Sequence, residues 1–314
     1  MKNPPVPPRK RPLVVLLHPL NPRLVRKWLA PHAKIALATT RAQRAKLLPH
    51  ADAVIALLSD AVDAELIAQA PHLKVVGNHA VGVNNIDLAA CKKRRIRVVN
   101  TPDVLTRSTA ECALALLLAA ARRIPEGEAL CRANRFKGWA PDLLLGLELK
   151  GRAAVIVGAG RIGRETAKLF KAVGLHVQFI TREDSPAQIK NKLRKAQILS
   201  IHVPLTPQTK HWLDAKKIAL LPGDSIVINT ARGPVIDEKA LTSALKAKRI
   251  FAAGLDVFEN EPEIPHALRK LPNVVLLPHV GSGTHTAREA MLKSVINGVL
   301  GVLSGRRPIN EVKL

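Results

Sequence analysis

The chain alternates short, continuous apolar runs rich in β-branched residues with longer stretches in which apolar positions recur every three or four residues. The short runs predict strands and the periodic stretches predict helices. In the first third, strands are expected at Leu13–Leu17, Lys34–Ala38, Val54–Leu58, Leu73–Val76 and Arg97–Val99, with helices including Arg23–Leu29 and Asp63–Gln69 between them. From Arg152 onward the alternation strengthens. Strands are expected at Ala153–Val157, His176–Thr181, Ile198–Val203, Ser225–Asn229, Phe251–Val257 and Val274–Leu277. Helices are expected at Ile162–Val173, Pro186–Lys195, Glu238–Lys246 and Thr284–Leu303. Near-continuous apolar strands separated by helices imply an α/β fold with parallel sheets covered on both faces. About eleven strands exceed one ordinary sheet, so two sheets are expected, with a break near Asn100–Pro102. Ala110–Arg122 carries too few charges for a solvent-facing helix and is expected to be buried, between domains or subunits. If the last helix returns to the first domain, that domain is discontinuous, 1–100 with 285–314, around a second domain at 101–284.

Composition adds exclusions. A chain of 314 residues, 47% hydrophobic and 23% charged, is an ordinary globular protein of about two domains. Its three cysteines (Cys91, Cys112, Cys131) form no CxxC pair, which argues against a disulfide framework or a cysteine-built zinc site and fits a reducing compartment. His79, His202 and His285 show no metal-ligand spacing, so no metal is expected. The longest apolar run, Ala113–Ala121, is far short of the ~20 residues that cross a bilayer. No apolar run of signal-peptide length follows the basic start, so a cytoplasmic protein with no membrane partner is expected. The net charge of +25 raises nucleic acid as a partner. Basic residues are mostly dispersed, aromatics are 3%, and no nucleic-acid motif is visible, so a solvated basic surface that attracts small anions is the better reading. The Pro-rich first twelve residues read as a floppy or polyproline-like tail.

The most specific local signal is Val155–Gly163, a strand running into G-x-G-x-x-G and then a helix. Gly158 permits the tight turn, Gly160 lets the backbone approach a pyrophosphate, and Gly163 lets the helix pack on the strand. The helix-start N–H groups near Arg161 and Ile162 would face the phosphates. A cofactor of the NAD type calls for a carboxylate at the end of the next strand, on the ribose 2′-OH. That strand ends in Thr181 followed by Arg182. A hydroxyl and a guanidinium suit a 2′-phosphate, which favours NADP(H) over NAD(H). Glu183 and Asp184 leave the choice open, since either could supply a carboxylate if the strand ran further.

Three segments beyond later strands carry candidate chemistry: Asn229–Gly233, Leu255–Pro262 and Leu277–Ser282. Arg232, Glu261 and His279 each lie just past a strand's C-terminal end, the edge along which open α/β sheets bind ligands. An Arg can clamp an anionic group with paired donors, and a His can act as a general acid or base. A Glu beside that His would favour its acid form.

With Gly82 and Asn85–Asp87, Thr109–Glu111, Gly158–Gly163, His202–Thr206, Asn229–Gly233, Asp256–Pro262 and Pro278–Ser282 in this order and spacing, the chain resembles the D-isomer-specific 2-hydroxyacid dehydrogenase family over about Asn78 to Arg288, two-thirds of its length. The resemblance implies two flavodoxin/Rossmann-like domains with the active site in the cleft between them, a homodimer, and Arg232, Glu261 and His279 as the catalytic trio. It implies that the backbone N–H groups of Val81 and Gly82 complete the substrate-carboxylate site with Arg232 and His279. Thr109 would border the nicotinamide, Pro204 the adenosine, and Asp256 the nicotinamide amide. Val203, Thr209, Thr230, Ala231 and Gly281 are the remaining implied cofactor positions. Glu261 stands where formate dehydrogenases of the family have Gln. The chain lacks the tyrosine of D-lactate dehydrogenases, and Thr181 replaces the acid usual in phosphoglycerate dehydrogenases. The pattern left is that of a glyoxylate/hydroxypyruvate reductase. The loop Val81–Asn84 departs from the commoner Gly-Tyr-Asp form and leaves the substrate open. The alternative is a dinucleotide-sensing corepressor of the same family.

Overall fold

A computed structural model describes residues 11–314; the Pro-rich tail, up to residue 10, lies outside the described residues. All eleven expected strands form, with ends within two residues of expectation. They are β1 (Leu13–Leu16), β2 (Lys34–Leu37), β3 (Ala53–Ala56), β4 (Val75–Asn78), β5 (Arg97–Val99), β6 (Ala153–Val157), β7 (His176–Ile180), β8 (Ile198–Ile201), β9 (Ile226–Asn229), β10 (Ala252–Leu255) and β11 (Val274–Leu276). The chain divides into two compact units. One holds the described residues up to Leu105 together with Thr284–Leu314, and the other is Thr106–Gly283.

In the first unit a parallel sheet runs β2-β1-β3-β4-β5, the flavodoxin-like order. Its inner strands β1, β3 and β4 are buried on both faces because helices cover both, while the edge strand β2 stays partly exposed, and two apolar clusters result. One is built partly from Val295, Ile296 and Val299 of the helix His285–Leu303. That helix lies so close to β4 that a Cβ on Gly77 would come within 2.7 Å of Val299 and 2.8 Å of Val295. This packing joins the end of the chain to its beginning.

In the second unit the parallel order is β11-β10-β9-β8-β6-β7, the same pattern extended by a strand. The helix Thr106–Ala121 starts four residues before the expected Ala110 and stops short of Arg122. Its first turn is polar, so periodicity could not reveal it. Its buried face, including Ala113, Leu116 and Leu117, packs on the helix Arg161–Ala172 and on β9 and β10 of its own unit. There Gly254 is needed, because a Cβ would meet Leu116 at 2.8 Å. Each fully buried leucine on this face contributes about 2 kcal/mol of transfer free energy. β6 sits between β7 and β8, where the strand order reverses, so the loop after β6 opens at the switch point of the sheet.

Candidate active site

The glycine loop follows β6, and its three glycines answer to different constraints. Gly158 adopts φ +101°, and a Cβ there would lie 2.6 Å from the His202 carbonyl oxygen. A Cβ on Gly163 would lie 2.1 Å from the Gly158 carbonyl oxygen. Both are demanded by the protein's own packing. Gly160 is not: a Cβ there would meet no atom within 4 Å. It caps the helix Arg161–Ala172, to which no side chain provides a cap. Open space before an uncapped helix N-terminus suits a phosphate group. Thr230 Oγ1, buried and without a hydrogen-bond partner in the protein, is open to a bond with a polar ligand. These residues fit a dinucleotide. Arg161 is exposed and Ile162 half-buried at the helix start.

β7 ends at Ile180. The Thr181 N–H donates to Asp184 Oδ2 at 2.8 Å, and the Glu183 N–H donates to Thr181 Oγ1 at 3.3 Å. Asp184 also pairs with Lys192, whose Nζ donates to the Phe179 carbonyl. Lys192 and the Thr181 amide hold the Asp184 carboxyl below its usual range. Asp184 is thus engaged inside the turn, while the Arg182 and Glu183 side chains are exposed. The Val203–Thr209 loop is pinned by Thr209, whose Oγ1 donates to the Pro204 carbonyl at 2.6 Å and accepts from the Thr206 N–H at 2.8 Å. Val203 is half-buried beside Gly158 and Pro204 is exposed. His202, on Ser200 at 2.8 Å, is pushed by burial down to about 3 and stays neutral.

Arg232, Glu261 and His279 follow β9, β10 and β11, three adjacent strands of the sheet. Parallel pairing therefore brings residues remote in sequence to one edge. The turn before Arg232 is held by Asn229, which accepts from the Ala231 N–H and donates to the Arg232 carbonyl, each at 3.0 Å. Arg232 donates to the Ala231 carbonyl at 2.7 Å. Burial pushes its guanidinium below the usual arginine range, and the Glu261 charge opposes that. Gly233 has no room for a side chain, because a Cβ would sit 1.9 Å from the Phe258 carbonyl. That contact seats the arginine turn against the loop carrying Glu261.

Glu261 accepts from the Phe258 N–H at 3.1 Å and contacts His279 Nδ1 at 2.8 Å. Burial works to raise the Glu261 carboxyl, but His279, the Phe258 amide and Arg232 outweigh it and leave it below its usual value. His279 lies in the left-handed region at φ +56°, a conformation most side chains avoid. Its N–H donates to the Asp256 carbonyl at 2.9 Å. With Nδ1 turned to Glu261, Nε2 is the ring nitrogen available to exchange a proton with a substrate. The Asp256 carboxylate, 1% exposed, accepts from the Val280 and Gly281 N–H groups at 2.7 Å each. Burial raises that carboxyl and the two amides oppose the rise. A Cβ on Gly281 would reach Asp256 at 3.0 Å and Thr109 at 3.4 Å, so these three residues adjoin.

In the first unit, Val81 and Gly82 follow β4 in a half-buried loop. Among the described residues no group of three or more His, Cys, Asp or Glu side chains could hold a metal ion, and no helix is long and apolar enough to cross a membrane. Sequence reasoning missed Asn229 as a positioning residue, although its place at a strand end before Thr-Ala-Arg-Gly was a usable signal: a side chain there can bond the turn that follows.

Comparison with known proteins places these features in context. Residues 114–281 match the family described as D-isomer specific 2-hydroxyacid dehydrogenase, NAD binding domain. Glyoxylate reductase of Thermococcus litoralis is 44% identical over 275 residues, covering 83% of each chain. Glyoxylate reductase of Pyrococcus furiosus is 40% identical over 271 residues, 82% of this chain and 81% of that one. Among solved structures, a Thermus thermophilus protein superposes with a TM-score of 0.90 at 38% identity, covering 96% of this chain and all of that one. An NADPH-dependent glyoxylate/hydroxypyruvate reductase of Sinorhizobium meliloti, in complex with NADP and malonate, superposes with a TM-score of 0.86 at 31% identity, covering 96% and 97%.

Proposed function

The chain belongs to the D-isomer-specific 2-hydroxyacid dehydrogenase family, and on that premise we propose that it reduces a small 2-oxo acid, glyoxylate or hydroxypyruvate, to the D-2-hydroxy acid (glycolate from glyoxylate) with NADPH preferred to NADH. The observation that carries the reading is the His279–Glu261 pair at 2.8 Å with Arg232 on the neighbouring strand end. NADPH supplies the hydride when bound. The unit Thr106–Gly283 would hold it, through the Gly158–Gly163 loop, Thr230 and, at the 2′-phosphate, Thr181 and Arg182. Arg232 clamps the substrate carboxylate and orients the ketone, and its low solvent contact strengthens that charge-assisted bond. His279 would give its Nε2 proton to the oxygen of the ketone being reduced, and Glu261 would balance the imidazolium before that transfer and hold the ring afterwards. In the family pattern the Val81 and Gly82 amides also bind the carboxylate.

Asp184's engagement with Lys192 and the Thr181 amide supports the NADPH preference, because it leaves that carboxylate less free to accept from a ribose hydroxyl. A homodimer is supported by the exposed apolar residues Ile124 (53%), Phe136 (54%), Trp139 (85%) and Leu145 (63%), which lie within a short stretch of the second unit. The test is a substrate panel of glyoxylate, hydroxypyruvate, pyruvate and phenylpyruvate, each with NADPH and NADH. Turnover of glyoxylate or hydroxypyruvate, faster with NADPH, is expected. Absence of turnover on all four, with intact cofactor binding, would overturn the reading and leave the corepressor alternative.

A further inference from the structure

The loop after β4 shows an arrangement that its sequence does not announce. Three successive carbonyls in it are held by the protein. The Ala80 carbonyl accepts from the Thr101 N–H at 3.0 Å, the Val81 carbonyl from Asn100 Nδ2 at 2.7 Å, and the Gly82 carbonyl from Asn78 Nδ2 at 2.7 Å. These peptide bonds are trans. In a trans peptide the N–H points opposite to the C=O of the same unit. Holding those three carbonyls therefore aims the N–H groups of Val81, Gly82 and Val83 away from the anchors. None of the three has a hydrogen-bond partner among the described residues. Consecutive unpaired amides on one turn form an anion-binding concavity.

The anchoring asparagines are themselves fixed. Asn78 is fully buried, and its amide also donates to Asn85 Oδ1 at 3.1 Å. Asn85 donates in turn to the Leu57 and Asp60 carbonyls, each at 3.0 Å. The Asn100 backbone is clamped by Asn310, which donates from Nδ2 to the Asn100 carbonyl at 2.7 Å and accepts the Asn100 N–H at 3.2 Å. Neither asparagine has a charge or a reactive atom, and a primary amide donates to a carbonyl without adding charge beside an incoming anion. A Lys or Arg would anchor the carbonyls equally well but would compete for that anion.

We propose that Asn78 and Asn100 are positioning residues that pre-orient the Val81, Gly82 and Val83 amides for a substrate carboxylate, with the Val83 amide as a third donor. The proposal rests on the reading of this loop as part of a 2-oxo acid site. It explains how a loop without the commoner Gly-Tyr-Asp sequence can still present the donors: the geometry is set from outside the loop, by the ends of β4 and β5.

The direct test is a titration of the 15N-labelled protein, with NADP+ bound, using oxamate, a carboxylate that cannot be reduced. The amide resonances of Val81, Gly82 and Val83 are expected to shift together. In Asn100→Asp, which swaps the donor for an oxygen facing the Val81 carbonyl, the KM for glyoxylate should rise about tenfold or more while the KM for the cofactor stays within about twofold. Asn100→Gln, which keeps an amide donor, should recover part of the loss. Asn78→Asp should act in the same way, and if that buried variant fails to fold, the half-buried Asn100 and the titration of the unmodified protein still decide. Unmoved amides, an unchanged glyoxylate KM in Asn100→Asp, or an equal rise in both KM values would overturn the proposal. If the unmodified protein reduces no 2-oxo acid yet oxamate moves the three amides and Asn100→Asp abolishes the effect, the functional reading fails and this inference stands.

Discussion

The proposed preference for NADPH over NADH carries a definite expected magnitude. The 2′-phosphate that separates NADPH from NADH carries close to −2 near neutral pH. At the end of β7 it would meet Thr181 and the exposed Arg182, while Asp184 is neutralised by Lys192. A charge-assisted contact between guanidinium and phosphate is worth about 1.5–3 kcal/mol, or roughly ten- to a hundredfold in affinity. Because Arg182 is exposed, solvent screening sets the expectation at the lower end, about tenfold in kcat/KM at physiological salt. The assay is steady-state reduction of glyoxylate with each cofactor at low and high ionic strength. Arg182→Ala should cut kcat/KM for NADPH about tenfold and leave NADH almost unchanged. Thr181→Asp combined with Arg182→Ala should erase or reverse the preference, since a carboxylate there repels the phosphate and accepts the ribose hydroxyl. Raising salt should weaken NADPH more than NADH. Equal or better use of NADH by the unmodified protein, or an equal loss for both cofactors in Arg182→Ala, would refute the reasoning and direct attention to Glu183.

His279→Ala should lower kcat at least a hundredfold, the usual scale for a general acid, and near-normal glyoxylate turnover would remove His279 from that role. In Glu261→Gln the imidazolium loses its counter-charge at 2.8 Å, so the alkaline limb of the pH–rate profile for reduction should move to lower pH; an unmoved profile would count against the coupling. Gly233→Ala forces a Cβ into the Phe258 carbonyl and should cost about 3 kcal/mol, read by urea unfolding, with loss of activity. Glu311, held below its ordinary 4.5 by Arg97 through bonds of 2.7 and 2.8 Å, should contribute about 1 kcal/mol. That contribution is complete above the ordinary value and is lost as pH falls through the depressed one, so the stability gap between Glu311→Gln and the unmodified protein should narrow steadily as the solution is acidified below the ordinary carboxylate range; a gap that does not narrow on acidification would contradict it.

Several helices were not legible in the sequence. Arg41–Leu47 buries no residue, so it has no apolar stripe to read. Its signal is local instead: Thr40 and Gln43 form a capping box, a pattern visible as Thr-x-x-Gln. Ile124–Arg132 likewise buries nothing, and Leu88–Lys93 buries only Cys91. Short polar helices depend on caps and on the elements beside them, and apolar periodicity is silent about both.

By itself the sequence determined the elements that must bury an apolar face, since a strand that is apolar throughout can only lie inside a covered sheet. It also marked the candidate chemistry at the strand ends, because G-x-G-x-x-G, Arg232, Glu261 and His279 are legible as residue types at characteristic spacings. Tertiary structure alone decided which strands are neighbours, and hence that β9, β10 and β11 deliver Arg232, Glu261 and His279 to one edge. It decided that His279 adopts a left-handed backbone with Nδ1 on Glu261. It also turned the Thr181–Asp184 segment into a closed turn and gave Asn78, Asn100 and Asn229 their anchoring bonds. The physical reason is range. Burial pattern acts over a few residues and leaves a mark in the local sequence, whereas a hydrogen bond from Asn100 to Val81 or a carboxylate meeting an imidazole across two strands exists only once parallel pairing has brought distant segments together.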